Sequence, residues 1–185
     1  GSEMCIRDRC YYGDGKGKTT AALGLALRAA GCGLRVHIVQ FLKGTETGEL
    51  ASLAQIQQLS LVRCDKNWGF TFSMTEQDKK EITVCHNRML QEAISMAKSG
   101  EIDVLIFDEF QAAYAHGLLD KEAAKDFILK KANEDKTVIA VNAATPGVFG
   151  FDTKFRNELG KQYTDVGIAE EHAVAYSSAL AKMGA

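Results

Sequence analysis

A glycine-rich loop near the start of the chain, YGDGKGKT (residues 12–19), carries the residue types that bind phosphate. Its closely spaced glycines allow positive φ angles, so successive backbone N–H groups can point toward one anion. Lys18 adds a positive charge, and the Thr19 hydroxyl is an oxygen ligand for Mg²⁺. Tyr12 stands where the strict phosphate-loop pattern has its first glycine, and a glycine-rich turn without a ligand is the alternative interpretation. The predicted nucleotide-binding residues are Gly13, Asp14, Gly15, Lys16, Gly17, Lys18, Thr19 and Thr20.

Two adjacent carboxylates, Asp108 and Glu109, follow an apolar run in the segment VLIFDEF (residues 104–110). Such a run predicts a buried strand, and carboxylates at the carboxyl end of a parallel strand face the ligand crevice of an α/β sheet. We therefore predict that Thr19, Asp108 and Glu109 bind a magnesium ion together with nucleotide phosphates. The alternative is that the two acidic residues belong to a solvated turn.

Three aromatic side chains, Trp68, Phe70 and Phe72, fall in a short predicted loop, NWGFTFS (residues 67–73). Exposed loops rarely carry so many large apolar side chains. Either the three fold back into the core, or they contact a large flat ligand. Packing considerations alone favour the core, and both interpretations stay open at this point.

Strands that alternate with helices must position these residues. Apolar runs predict the strands, and helical spacing of apolar residues, with Gly31 as a stop, predicts the first helix. Ser73 and Glu76 predict a capping box for a long helix that ends near Lys98. The alternation predicts an α/β fold, a P-loop NTPase-like parallel sheet with helices on both faces. The predicted strands are residues 35–41, 61–64, 102–109 and 137–142, and the other predicted helices are residues 19–30, 48–59 and 120–133.

Composition and charge place the chain among globular cytoplasmic proteins. Of its 185 residues, 46% are hydrophobic and 25% are charged, which suits one domain with a real core. The net charge of -2 predicts no nucleic-acid partner, and no apolar run is long enough to predict a membrane span. The cysteines number five, which is odd, and no C-x-x-C pair occurs, so we predict scattered free thiols in a reducing compartment.

The chain resembles the ATP:corrinoid adenosyltransferases of the cobalamin-salvage P-loop family in four segments. In order along the chain they are GDGKGKTTAALGLALRAAG, VQFLKG, GFTF and FDEFQAAYAHGLL, and the resemblance covers roughly residues 11–142. It implies transfer of the 5′-deoxyadenosyl group of ATP to the cobalt of a reduced corrinoid, cob(I)alamin or cob(I)yrinic acid diamide. The triphosphate would be the leaving group. Because cobalt(I) supplies its own electron pair, no general base is needed.

The resemblance also implies roles for the residues of the phosphate loop and the acidic pair. Lys18 and the loop backbone would stabilise charge on the leaving triphosphate. Thr19 and Glu109 would bind Mg²⁺ or Mn²⁺, with Asp108 beside them or behind them. The loop would thus hold a leaving group and not a phosphoryl group in transit.

A second set of implied roles concerns the corrinoid and the partners. Phe70 and Phe72 would press on the lower face of the corrin, although many family members have tryptophan at the second of these positions. Gln40 and Lys43 match family positions near the ligands, without an assigned role. The resemblance further implies small-molecule substrates, a homodimer, and a reductase that supplies electrons to the cobalt.

Both ends of the chain are predicted to be foreign to this domain. Residues 1–9, GSEMCIRDR, place charges where a buried strand is expected. Residues 143–185 lack the family's arginine turn and resemble 1-deoxy-D-xylulose 5-phosphate synthase in AATPGVFGF and DVGIAEEHAVAYSSALA. Glu170 matches the glutamate that activates thiamine diphosphate there, but the fragment lacks the domain that grips this cofactor, so we expect no thiamine diphosphate binding. The predicted domains of this chimeric chain are residues 1–9, 10–142 and 143–185.

Two other functions compete with adenosyl transfer. A generic P-loop ATPase or nucleotide-binding protein accounts for the loop and the acidic pair, but it leaves the aromatic segment unexplained. A folded but inactive fusion accounts for the charged first strand and the foreign tail.

Overall fold

The structure, a computed structural model, describes residues 17–134, 140–142 and 153–165. They divide into two units: residues 22–121, and the described residues before and after that stretch. The elements are α1 (Lys18–Gly31), β1 (Val36–Gln40), α2 (Gly48–Leu53), β2 (Leu59–Arg63), α3 (Glu76–Ser99), β3 (Val104–Asp108), α4 (Phe110–Ala115), α5 (Lys121–Glu134), β4 (Ala140–Asn142), α6 (Thr153–Leu159) and β5 (Tyr163–Asp165), with 3₁₀ turns at Thr71–Ser73 and Gly160–Gln162.

Three parallel strands in the order β2-β1-β3 form the sheet of the unit at residues 22–121. Every residue of the central strand β1 is buried, which is the pattern of a parallel strand covered on both faces. The register pairs Gln40 with Arg63 on one side and with Asp108 on the other. The predicted α/β fold is confirmed, and the carboxyl ends of its three strands lie level with one another.

The helices of this unit bury apolar stripes. In α3, Ile82, Met89 and Ala93 are almost fully buried at helical spacing, and the helix packs against β1 and β3. In α1 the buried face is made of small residues, with Ala26 and Ala29 fully buried. Among the described residues, no helix combines the length and apolarity that crossing a membrane requires.

The other unit contains a second, two-stranded parallel sheet. Its strands pair Ala140 with Tyr163 and Asn142 with Asp165. The predicted strand at 137–142 is therefore confirmed at 140–142, while residues 137–139 lie outside the described residues. Strand pairing crosses the predicted domain boundary after Asn142, and that boundary stays a prediction.

Two predicted elements in the middle of the chain differ in their bounds. Helix α2 ends at Leu53 and does not continue to Leu59. Residues 54–58 turn instead, and strand β2 begins at Leu59, where it pairs with Val36. Strand pairing with β1 thus overrides the helical pattern of the local sequence.

The predicted capping box at Ser73 and Glu76 is wrong, because α3 is capped two residues later. The Thr75 hydroxyl accepts from the Asp78 N–H at 3.1 Å, and an Asp78 carboxylate oxygen accepts from the Thr75 N–H at 3.0 Å. Ser73 belongs to the preceding 3₁₀ turn, where its hydroxyl donates to the Phe70 carbonyl at 2.8 Å. Both sites follow the same sequence signature, and the turn decides between them.

A disulfide joins Cys64 and Cys85, so the prediction of free thiols is wrong for this pair. Their Cα atoms lie 6.3 Å apart, and their positions in the sequence differ by 21. Cys64 directly follows β2 and Cys85 lies within α3, so packing of these elements brings the two together. Cys32 is exposed and is not joined by a disulfide to another cysteine that the structure describes.

Removing this disulfide with the double substitution Cys64→Ser and Cys85→Ser is expected to lower the free energy of unfolding by about 3 kcal/mol. The cross-link restricts the unfolded chain, and opening it restores that conformational freedom. Urea denaturation of the oxidised parent protein, of the double variant and of a control variant measures the effect. Cys32→Ser is the matched control, since an exposed thiol contributes little. Equal midpoints for the double variant and the oxidised protein would contradict the prediction.

Candidate active site

The carboxyl ends of β1, β2 and β3 present a connected group of polar side chains. Gln40 is fully buried, and its amide nitrogen donates to an Asp108 carboxylate oxygen at 3.0 Å. Lys43 forms an ion pair with the same oxygen at 2.8 Å. Arg63 donates to the Gln40 amide oxygen. Asp108 is only 6% exposed, so these neighbours hold its carboxylate in one orientation.

The neighbouring Glu109 has a different environment. Its backbone lies in the left-handed region, with φ 57°, which is an uncommon and strained conformation for a residue with a side chain. It precedes α4, it is exposed, and it makes no side-chain cap hydrogen bond. Strain of this kind is concentrated at functional sites. The two carboxylates of the acidic pair therefore differ: Asp108 is buried and held by its neighbours, whereas Glu109 is exposed.

The two carboxylates predicted to bind a metal ion, Asp108 and Glu109, differ in how accessible they are. Glu109 presents an open carboxylate, which fits a hard cation such as Mg²⁺. The Asp108 oxygen that accepts from Lys43 and Gln40 is already occupied by two donors. Within residues 17–134, 140–142 and 153–165, no three His, Cys, Asp or Glu side chains are grouped so that they could hold a metal ion by themselves. A cation at Glu109 would therefore need oxygen ligands of other kinds, such as phosphate or hydroxyl.

The described end of the phosphate loop is the start of α1. Gly17 has φ 108°, a conformation that favours glycine, and its carbonyl accepts from the Ala21 N–H at 2.8 Å. Lys18 and Thr19 form the first turn of the helix and are half-buried. A helix N-terminus preceded by glycine is suited to stabilising an anion. The predicted ligands Gly13, Asp14, Gly15 and Lys16 lie outside the described residues.

The aromatic residues of segment 67–73 do not all have the same environment. The sequence left open whether they pack into the core or lie exposed for contact with a ligand. Trp68 packs on a core cluster that includes Met74 and Ile82. Phe70 and Phe72 are 73% and 86% exposed, so the core interpretation is wrong for them. Their rings stack, with centroids 5.3 Å apart and planes inclined by 9°. Two exposed phenylalanines that stack on each other form an apolar surface, and such surfaces mark sites of binding.

Local hydrogen bonds shape this segment into a tight turn. The Asn67 side-chain oxygen accepts from the Gly69 N–H at 2.9 Å, and Gly69 has φ 73°. The Ser73 N–H donates to the Phe70 carbonyl at 2.9 Å, which closes the 3₁₀ turn. Asparagine and glycine at these positions support such a turn without help from the core, so the aromatic rings project outward.

His86, fully buried in α3, has a role that its sequence did not indicate. The Leu42 N–H donates to its Nε2 at 3.1 Å, and its Nδ1 lies 2.9 Å from the Leu118 carbonyl. These contacts require a neutral ring with the proton on Nδ1. Burial lowers the pKa of His86, which keeps the ring neutral. Leu42 has φ 55°, and the histidine thus stabilises a left-handed turn directly after β1.

Lowering the pH below about 6.5 is expected to lower the free energy of unfolding. The pKa of His86 in the folded chain lies below its ordinary value of 6.5, so the unfolded chain takes up a proton first as the pH falls. Stability is therefore complete above pH 6.5 and decreases below it, by at most about 1.4 kcal/mol per pH unit for one proton. Burial also lowers the pKa of His37, which adds in the same direction.

Urea denaturation between pH 7.5 and 5.5 measures this slope. His86→Gln should show a flatter dependence than the parent chain, whatever its absolute stability. A His86→Gln variant with the parent slope would contradict the assignment of this titration.

The parallel sheet, the glycine before α1 and the carboxylates after β3 define a P-loop-like α/β protein. The model of the family described as ATP:corrinoid adenosyltransferase BtuR/CobO/CobP matches residues 8–176. The chain belongs to this family and is an enzyme of the corrinoid adenosyltransferase class.

Similar proteins support this assignment. A corrinoid adenosyltransferase of Pseudomonas aeruginosa is 26% identical over 168 residues, which cover 90% of this chain and 81% of that protein. A corrinoid adenosyltransferase of Escherichia coli strain K12 is 26% identical over 167 residues and covers 83% of each chain. The family assignment is therefore based on most of the chain.

Part of the chain also resembles an unrelated enzyme. The 1-deoxy-D-xylulose-5-phosphate synthase of Macrococcus caseolyticus is 44% identical over 59 residues, which make up 32% of this chain and 9% of the synthase. This partial match fits a chimeric chain. The adenosyltransferase match nevertheless runs to residue 176, beyond Asn142, so the junction between the two resemblances stays a prediction.

Proposed function

We propose that this chain transfers the 5′-deoxyadenosyl group of ATP to the cobalt of a reduced corrinoid, cob(I)alamin or cob(I)yrinic acid diamide, and releases triphosphate. In this reaction the cobalt electron pair forms a bond to C5′ of the ribose. The bond between C5′ and the triphosphate oxygen breaks, and the triphosphate keeps that electron pair. The exposed, stacked pair Phe70 and Phe72 carries the proposal, because a nucleotide hydrolase has no need of such a surface.

The phosphate loop stabilises the leaving group in this proposal. Lys18 at the start of α1 and the positive end of the helix counter the charge that gathers on the departing triphosphate. Thr20, exposed in the same turn, belongs to the predicted nucleotide site. Gly17 permits the backbone conformation that brings the N–H groups of this turn toward the phosphates.

The acidic pair serves the nucleotide phosphates through a cation. Mg²⁺ or Mn²⁺, when bound with ATP, would neutralise part of the triphosphate charge. Glu109 is the ligand that the described geometry favours, because its side chain is exposed at a strained turn. Asp108, held by Gln40 and Lys43, orients this turn from the end of β3. Thr19 stays a ligand predicted from the sequence.

The aromatic pair binds the corrinoid. The rings of Phe70 and Phe72 stack on each other and are largely exposed, so they offer aromatic, apolar contact area to a large flat macrocycle. Contact with the lower face of the corrin would exclude a lower axial ligand from the cobalt. Loss of that ligand makes the cobalt easier to reduce, which is the state that the reaction needs.

The test is an anaerobic reaction of the purified chain with ATP, Mg²⁺ and chemically reduced cob(I)alamin. The visible spectrum should change to that of a light-sensitive cobalt–carbon product, with stoichiometric release of tripolyphosphate. Release of orthophosphate without this product would favour the generic P-loop ATPase. A folded chain that neither binds ATP nor forms product would favour the inactive fusion.

The wider setting of the enzyme is part of the proposal. We expect a homodimer, a separate reductase as the electron source, and a cytoplasmic location. In a reducing cytoplasm Cys64 and Cys85 would be held as thiols, so alkylation of the pair in rapidly quenched cells tests the compartment. The synthase-like residues Glu170 and His172 lie outside the described residues, and we assign them no cofactor.

A further inference from the structure

The backbone at Gly44 lies against the backbone at the start of the aromatic segment. A Cβ atom at Gly44 would lie 2.7 Å from the Lys66 carbonyl carbon and 2.9 Å from the Asn67 Cα, and closer still to the Lys66 carbonyl oxygen. Real Cβ atoms do not approach other atoms so closely, and all three neighbours are backbone atoms that no side-chain rotation can move. Gly44 does not have a positive φ, so glycine is required here for space.

Hydrogen bonds join the same two stretches beside this contact. The Asn67 amide nitrogen donates to the Thr45 hydroxyl at 2.7 Å. The Arg63 guanidinium donates to the Thr45 carbonyl at 2.6 Å. The turn that follows β1 and the stretch from the end of β2 to Asn67 are therefore held together at Thr45, directly after Gly44.

Residues 42–45, which we call the linking turn, also contact Asp108 at the carboxyl end of β3. Lys43 forms its ion pair with Asp108 at 2.8 Å. Leu42 packs on the core cluster that also carries Trp68, and its N–H donates to His86. One short turn thus contacts the acidic pair on one side and the base of the aromatic segment on the other.

We propose that the linking turn sets the position of the Phe70–Phe72 surface relative to the acidic pair, with Gly44 as the positioning residue that permits the close approach. This inference rests on the proposed function, in which the aromatic surface binds the corrinoid. In this role Gly44 acts on the aromatic surface through the backbone of Lys66 and Asn67. An added Cβ must displace the backbone at Lys66 and Asn67, and the displacement is transmitted to the aromatic rings a few residues later.

Gly44→Ala is expected to raise the KM for cob(I)alamin by about 10- to 100-fold, because a displacement near 1 Å at a binding surface is enough for such a loss. The Kd for ATP, measured by equilibrium titration, should change less than about twofold, since the change leaves the phosphate loop intact. Gly48→Ala is the matched control: its Cβ meets no described atom within 4 Å, and its φ is not positive. It should keep both parent values.

A direct readout separates this inference from the proposed function. Trp68 is the only tryptophan of the 185-residue chain, so its fluorescence reports on the base of the aromatic segment. The Trp68 emission should shift in Gly44→Ala and not in Gly48→Ala, even if the chain transfers no adenosyl group. If the parent chain transfers no adenosyl group and the Trp68 emission still shifts in Gly44→Ala, the positioning role is supported and only the proposed function is contradicted.

Unchanged Trp68 emission and an unchanged corrinoid KM in Gly44→Ala would overturn the inference, and so would equal changes in corrinoid KM and ATP Kd. If Gly44→Ala does not fold, Thr45→Val replaces it, since it removes the Thr45 hydroxyl that accepts from the Asn67 amide and leaves the Asn67–Gly69 contact within the aromatic segment intact. A severalfold rise in corrinoid KM for Thr45→Val, with ATP binding kept, supports the inference, and parent values overturn it.

Discussion

Replacing Lys18 with alanine is expected to slow adenosyl transfer by about 100- to 1000-fold, the usual effect of removing one group that stabilises developing charge. Lys18 stands at the first position of α1, where the glycine loop meets the helix. In the proposed reaction the triphosphate gains charge as the bond to C5′ breaks. A lysine at this position acts mainly at that stage, so we expect the fall in kcat to exceed the rise in the KM for ATP.

The rate of adenosylcobalamin formation under single-turnover conditions measures this effect. Lys98→Ala is the control, because Lys98 is an exposed lysine in the last turn of α3 and should leave the rate unchanged. A Lys18→Ala enzyme that loses less than about threefold would remove the phosphate loop from the mechanism. A rise in KM alone would mean that the lysine binds ground state and transition state equally.

Asp108→Ala is expected to lower the free energy of unfolding by about 3 kcal/mol, since removing one partner of a buried ion pair leaves the other charge uncompensated. The Asp108 carboxylate is 6% exposed and the Lys43 side chain 27% exposed, so water replaces the lost partner only in part. Gln40, fully buried, also loses the acceptor for its amide. Gln40, at the end of β1, and Lys43, in the turn that follows it, would both remain without their partner.

Urea denaturation of Asp108→Ala and of Asp108→Ala with Lys43→Met tests this account. The double variant should recover part of the loss, because the uncompensated charge is gone. Asp103→Ala is the comparison: Asp103 pairs with Arg35 at 2.7 Å, but both side chains are largely accessible to water, so its loss should be much smaller. Equal losses at Asp103 and Asp108 would show that burial of the Asp108 pair contributes nothing.

Much of the scaffold was predictable from local sequence. Strand β3 was predicted at 102–109 and occurs at Val104–Asp108, because a continuous apolar run can only be buried in such a sheet. Helix α1 was predicted at 19–30 and occurs at Lys18–Gly31, with the glycine stop at its end. The bounds were wrong where two local signals competed. Helix α2 ends before its predicted end because Leu59 pairs with β1 as the first residue of β2. Helix α3 is capped by Thr75 and not by the predicted Ser73.

The candidate site was predictable only in its parts. The acidic pair was found by its place after an apolar run, yet the sequence could not tell that Asp108 is held by Lys43 while Glu109 is exposed. That difference depends on the strand order, which places β1 beside β3. The free-thiol prediction failed for a similar reason, since Cys64 and Cys85 meet only through packing of α3 near the end of β2.

By itself the sequence determined the α/β class, the place of the acidic pair after an apolar strand and the family, because each depends on residue types at short spacing, and the phosphate loop stays a prediction from the same kind of pattern. The tertiary structure alone decided that Trp68 packs, partly buried, on a core cluster while Phe70 and Phe72 form an exposed stacked surface. It also decided that Gly44 is needed for space. These features arise where turns from different strands meet, and their contacts depend on distances in space that spacing along the chain does not determine.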